Sequence, residues 1–362
     1  MRSHERNQEF ENFWIYLAIL FFLAGAVLFY PAAAASVLDA GKRCVCVLIP
    51  SLYLFSILAS LSVRTGLLSA LAQPFQKFFR KFLHRDAMLC MILLFSQVGG
   101  YPVGAQILHE LSQNCMITPK QEQNLLCVCM GSGFGFILGT AGGTLQTALL
   151  FWVIISVPNL LWGWFLLRDM YTENLKDLNK NSEKSGNSAS SRFVSVFTQS
   201  VECAAQAMLK ICGMILAFSG FLGILEGIFQ QFLIRIPAVI GSILEVSNVT
   251  AYLQNGGTLA GAAALLSFGG ICVHLQIAAV TENQLKLRKF WLIRIILSGI
   301  VYFLGRLIPW NFVEAGNTAV SVFLMFNPDQ VSFTGNENVI PSVCLLVMSV
   351  FLLRKHYFLR KH

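Results

Sequence analysis

The sequence predicts an all-α polytopic membrane protein of about eight transmembrane helices plus two re-entrant helical hairpins, arranged as two inverted repeats. Three observations carry this expectation. Of 362 residues, 56% are hydrophobic and only 12% charged, with a mean hydropathy of +0.65, whereas soluble domains carry roughly 25% charged residues. Apolar runs of about twenty residues, the length that crosses a bilayer, recur along the chain. Two further apolar stretches are broken by Gly, Pro, Ser or Asn at matching places in the two halves. The net charge of +8 reads as an orientation signal rather than a nucleic-acid footprint. The ten cysteines lie mostly inside apolar runs, without a C-x-x-C pair or zinc-ligand spacing, and read as small hydrophobes.

In chain order, residues 1–43 hold a charged start and an N-terminal span at 13–30, peripheral to the repeats. It is read as a retained span; Ala32-Ala33-Ala34-Ala35 is the one feature that resembles a cleavage site. The first repeat, 44–168, has a span at 44–63, an interrupted hairpin at 87–111, a glycine-broken span at 124–141 and a straight span at 145–167. Between them, residues 74–85 place Phe75, Phe78, Phe79, Phe82 and Leu83 on one helical face, with Lys77, Arg80 and Lys81 opposite. This fits either an amphipathic helix in the membrane interface or a packed connector. Residues 169–199 read as a polar cytoplasmic linker. The second repeat, 200–308, repeats the series with spans at 204–229, 258–280 and 290–308 and a hairpin at 236–253. An external loop at 309–340, a short span at 341–353 and a basic tail to residue 362 complete the chain.

Charge placement supports eight crossings with two hairpins that enter and leave on one side. Arg64, Lys77, Arg80, Lys81, Arg85 and Lys120, then the basic linker, then Lys286, Arg288 and Lys289, and finally the tail, all fall on the side of the N-terminus. The positive-inside rule makes that side, and both termini, cytoplasmic. Lys42-Arg43 and Arg235 are exceptions. Three crossings per repeat invert the second copy relative to the first, and paired discontinuous segments in inverted repeats point to secondary transport.

Four polar islands at membrane depth carry the candidate site. The first hairpin holds Ser96, Gln97, Gly100, Tyr101 and Pro102, and the first broken span holds Gly131-Ser132-Gly133. The second hairpin holds Glu245, Ser247, Asn248 and Thr250, and the second broken span Ser267-Phe268-Gly269-Gly270 with His274 and Gln276. Glycine and proline leave backbone groups without helical partners, and free N–H groups at helix starts favour an anion. The glycines four apart also fit close helix packing alone. Glu245 is the candidate for binding a coupling Na+ or a proton, and His274 for donating to an anionic substrate or serving as a packed histidine. Lys210 reads as paired with Glu202 or Glu226. No catalytic constellation or metal motif is recognisable, so neither an enzyme nor a metal or cofactor is expected.

The same islands resemble a known family. Gly99-Gly100-Tyr101-Pro102-Val103-Gly104-Ala105 is similar to the G-Y-P-x-G-A signature of sporulation integral membrane proteins of the YlbJ (SpoVV) type. Those belong to the nucleoside-recognition (Gate) domain superfamily, related to concentrative nucleoside transporters. Leu244-Glu245-Val246-Ser247 and Ser267 through Gln276 resemble that family's L-E-[IV]-[ST] and F-G-G-x-[SC]-V-H-x-Q elements. The chain departs from the pattern at Gly99, Gln106 and Cys129-Met130. The resemblance implies export of dipicolinate, a small aromatic dicarboxylate, from the mother cell to the forespore. The membrane it implies is a bacterial cytoplasmic membrane, the outer forespore membrane in a sporulating cell. A nucleoside or other organic-anion transporter, and a non-transporting scaffold of spore-envelope assembly, are the alternatives. The expected partners are the substrate and the lipid bilayer, with no nucleic acid; homo-oligomerisation is left open.

Overall fold

The computed structural model describes residues 13–310 except 14, 15, 18, 85, 143–144, 169–188 and 282–285. The expected span at 341–353, the basic tail and nearly all of the 309–340 loop lie outside the described residues. Among the described residues the protein is all-helical, 86% helix without strands. Four helices are long and apolar enough to cross a membrane, or six if each of two bent pairs is one span.

The N-terminal region differs from expectation. Helix α1 (Ile19–Leu28) bends by 96° into the next helix. That helix, α2 (Tyr30–Arg43), continues through a π turn at Cys44–Leu48 into α3 (Ile49–Arg64). The four alanines fall in the first half of α2. Alanine is the strongest helix former, and here it also gives a neighbouring helix room to approach. That neighbour is α10 (Ala189–Gln231), 43 residues long, or about 65 Å at 1.5 Å per residue. A Cβ on its Gly223 would sit 2.7 Å from the Ala32 carbonyl oxygen, and one on Gly227 2.7 Å from the Phe29 ring. Small residues on both faces let the two backbones come together. Helix α10 also begins ten residues inside the expected linker, where the Phe193 and Phe197 rings stack at 6.2 Å across one turn.

Helix α4 (Leu67–Phe78) and a π turn at Phe79–Leu83 cover most of the expected amphipathic segment, with Phe75, Phe78, Lys77, Arg80 and Lys81 all exposed. The first hairpin is α5 (Ala87–Gly99) and α6 (Tyr101–Gln113). Asp86 caps α5 by accepting from the Met88 N–H at 2.9 Å. The chain folds back at Gly100, φ 86°, so sharply that a Cβ on Gly104 would lie 3.1 Å from that of Ser96.

Helix α7 (Pro119–Leu126) starts five residues before the expected span, fixed by a capping box between Thr118 and Gln121. The chain then has no regular helix until α8 (Phe134–Ile137), a π turn at Leu138–Gly142 and α9 (Leu145–Leu166). The break is thus deeper than a glycine kink. In the second half, α10 leads to α11 (Ala238–Leu244), a 3-10 turn at Val246–Asn248 and α12 (Val249–Gln254). Helices α13 (Leu259–Phe268) and α14 (Gly270–Val280) break at Gly269 and Gly270, φ 88° and 73°. Helix α15 (Leu287–Leu307) closes the described chain.

Burial agrees with a lipid surround. On α9 the residues Leu145, Leu149, Val153, Val157, Leu161 and Phe165 are all exposed. Their fourfold spacing makes one continuous apolar stripe, a face a soluble protein would cover. The core lies instead around α5, α6 and α7, where Leu89, Ile92, Leu108, Leu111 and Leu125 are fully buried.

Two glycines of opposite circumstance test this packing. Gly100→Ala forces a Cβ to 2.6 Å from the Gly133 backbone nitrogen at a positive φ, a conformation that alone costs an L-residue about 1–2 kcal/mol. Gly299, within α15, has nothing within 4 Å of its would-be Cβ, and Ala there gains up to about 1 kcal/mol of helix propensity. In detergent melts, Gly100→Ala is expected to lower the transition by several degrees and Gly299→Ala to hold or raise it.

Candidate functional site

The site begins as backbone. A Cβ on Gly133 would meet the Gly99 carbonyl oxygen at 2.9 Å, and one on Gly270 would meet the Val246 nitrogen at 3.0 Å. Each hairpin tip therefore lies main chain against main chain on the broken helix of its own half. Hydrogen bonds at both tips then cross between halves. The Tyr101 hydroxyl lies 2.6 Å from Ser132 Oγ and donates to the Leu266 carbonyl, which also accepts from Ser132 at 2.9 Å. In the other direction, Thr250 Oγ1 donates to the Thr140 carbonyl at 2.8 Å.

Most of these polar groups repair what the breaks undo. Leu266 lies in the last turn of α13, where Gly269 ends the helix and leaves carbonyls without intrahelical donors. His274 Nε2 lies 2.8 Å from the Phe268 carbonyl, and its ring packs edge-on to Phe268 and Phe290 at 4.7 and 4.9 Å. Gln97 Nε2 donates to the Val128 carbonyl at 3.0 Å inside the first break. Trp152 Nε1 donates to the Gln97 carbonyl at 2.8 Å in the last turn of α5. In an apolar interior each unsatisfied group of this kind is costly.

Two cavities that share Leu48 and Phe136 lie at the hairpins, an inner one between both tips and an outer one beside the second tip and α2. The outer cavity, about 220 Å³, is lined by Asp39, Arg43, Ser247, Asn248 and Thr250 among others. The inner cavity, about 30 Å³, is lined by Gly100, Tyr101, Gly133, Glu245 and Gln276 among others. Glu245 is buried, and its carboxylate accepts from both the backbone N–H (3.0 Å) and the hydroxyl of Ser247, capping the 3-10 turn. Gln276 Nε2 donates to Cys272 Sγ at 3.2 Å.

Seven sequence-predicted residues thus line this pair of cavities, Gly100, Tyr101, Glu245 and Gln276 the inner and Ser247, Asn248 and Thr250 the outer. Ser132 touches the inner one only through Tyr101. Ser96, Gln97 and His274 are fully buried away from their lining and hold the breaks together. Pro102 sits in the first turn of α6, where a missing N–H costs nothing. Lys210 donates to the Ala279 carbonyl at 3.4 Å instead of pairing with Glu202 or Glu226. Among the described residues no three metal-ligating side chains come together.

Sequence reasoning missed two arginines. Arg43, paired with Asp39 at the outer cavity, entered only as an exception to the charge pattern. Arg294 lies wholly buried in α15. Its Nη1 donates to Asn159 Oδ1 at 3.0 Å, and Asn159 Nδ2 donates to Gln97 Oε1 at 3.1 Å. The signal was present, since an arginine inside the apolar run 290–308 meets the rule that singled out Glu245 and His274.

No family model, curated protein or solved structure matches the chain. Its site is read from its own residues.

Gln97→Leu would strand the Val128 carbonyl and the Asn159 amide, at about 1–3 kcal/mol for each buried group. Tyr101→Phe leaves the Leu266 carbonyl bonded to Ser132 and is expected to cost about 1 kcal/mol. Detergent melts should therefore rank Gln97→Leu as clearly the more damaging; the reverse order would contradict the assigned roles.

Proposed function

We propose that the chain is a secondary-type transporter of a small aromatic acid, with dipicolinate export from mother cell to forespore as the leading form. One observation carries the reading. Two interrupted hairpins and two broken helices, drawn from both halves of an apolar chain, converge on one inner cavity, which Tyr101, Gly133, Glu245 and Gln276 line. Broken helices at membrane depth are how transporters build substrate sites. The resemblance at Tyr101-Pro102, Glu245 and Gly269-Gly270 falls on the elements that form it. Within this proposal the hairpins are re-entrant, the halves are inverted copies, and a span at 341–353 completes eight crossings with both termini cytoplasmic.

The chemistry suits a compact acid. The outer cavity, about 220 Å³, falls below the roughly 300–1,000 Å³ of sites for drug-sized ligands. That favours a single aromatic ring over a nucleoside. At the outer cavity Arg43 and the Asn248 amide supply charge and a hydrogen bond for a carboxylate, and Phe136 flanks a ring. Glu245 supplies the negative charge to which a Na+ or proton would couple. Binding either would compete with the Ser247 contacts that now hold its carboxylate, so ion binding and the shape of the second hairpin's tip are linked.

Proteoliposomes loaded against a Na+ or proton gradient test this directly. Wild type is expected to accumulate labelled dipicolinate. Glu245→Gln, of the same size, is expected to lose at least tenfold in rate, about 1.4 kcal/mol, together with its dependence on the gradient. Absence of wild-type flux under either gradient would overturn the transport reading, and unchanged coupling in Glu245→Gln would overturn the role of Glu245.

A further inference from the structure

Among the described residues Arg294 is a fully buried cation with no ion-pair partner. The ion pairs there join Arg43 to Asp39, Arg64 to Glu110, Arg80 to Asp86 and His109 to Glu122. Arg294 uses one nitrogen on a neutral amide. Its Nε and Nη2 have no hydrogen-bond partner among the described residues. A guanidinium offers five donors in a planar fork that matches a carboxylate. An isolated buried cation is among the costliest groups a membrane protein can carry, so a packing role alone does not account for it.

Its position relates it to the site. Arg294 lies one helical turn from Phe290, whose ring packs on His274 beside the second break. Its charge is within electrostatic reach of Tyr101, which lines the inner cavity, and of Cys127 at the start of the first break. Through Asn159 and Gln97 it is tied to the tip of the first hairpin. Withdrawal of that tip from Gly133 would move Gln97, which holds Asn159, and Tyr101, which lines the inner cavity.

We propose that Arg294 is a second anion-recognition point, which binds a substrate carboxylate once the first hairpin's tip withdraws and lies closed off by that tip in the structure described. This rests on the transport reading above. Arg43 then receives the acid at the outer end, and Arg294 holds it in the opposite arrangement. The Gln97–Asn159–Arg294 chain is what the substrate's carboxylate replaces.

The test compares two probes of similar shape, dipicolinate and its uncharged diamide, pyridine-2,6-dicarboxamide, on the purified full chain. Wild type is expected to bind the dianion at least tenfold more tightly than the diamide. Arg294→Gln should lower that ratio at least threefold while Arg43 keeps the remainder, Arg294→Lys should restore part of the loss, and Asn159→Asp should suppress the ratio by placing a carboxylate beside Nη1. Asn159→Asp and Arg294→Lys keep the test standing if Arg294→Gln does not fold. A merely structural arginine would alter melting in these variants but leave the ratio at the wild-type value, and that result would overturn the inference while leaving the transport reading intact. Wild type that binds neither probe would overturn both.

Discussion

Backbone groups must be satisfied where helices stop in an apolar interior, and the fold of this chain is built around doing so. Water is not there to receive them, so every break must bring its own partners. At the second break the Leu266 carbonyl is met by Tyr101 and Ser132, and the Phe268 carbonyl by His274. At the first, Gln97 meets Val128, while Trp152 caps the end of α5. Much of the polarity that marks these segments is therefore spent on the main chain. What remains for a ligand is the smaller set that faces the cavities.

The same constraint shapes how such a site can move. A tip cannot leave its break without exposing the groups it covers, so movement must exchange one set of partners for another. The cross-half contacts at the tips, Tyr101 and Ser132 to Leu266 and Thr250 to Thr140, are single hydrogen bonds of about 1 kcal/mol net each. They are weak enough for a ligand's preference between two arrangements to shift the balance. The backbone contacts at Gly100 and Gly270 work differently, because they admit no side chain and so define where a tip reseats.

Much of this was legible in the sequence. Both interrupted hairpins, both glycine breaks and the long apolar helices could be read from composition and from Gly and Pro placement, since those residues act locally. The N-terminal region could not. The Ala32–Ala35 run has meaning only against Gly220, Gly223 and Gly227, nearly two hundred residues away. Nor could the sequence separate residues that line the cavities from those that repair the breaks. Gln97 and Tyr101 are four residues apart and equally polar in context, yet one lies behind the break and the other faces the inner cavity. Arg294 was overlooked because its run reads as an ordinary span, and its meaning comes from a missing partner, which only the packed structure exposes.

Within the proposed function, two hairpin tips and a buried arginine serve one ligand. The most direct measurement is a cryo-EM structure of the full chain in nanodiscs with saturating dipicolinate, set beside the same preparation without it. The expected result is ligand density between the first hairpin's tip and the Glu245 turn, with one carboxylate on Arg43 or, where the Gly100 to Gly133 contact has opened, on Arg294. Density confined to the lipid-facing surface, with both tips and the Arg294–Asn159 contact unchanged, would contradict it.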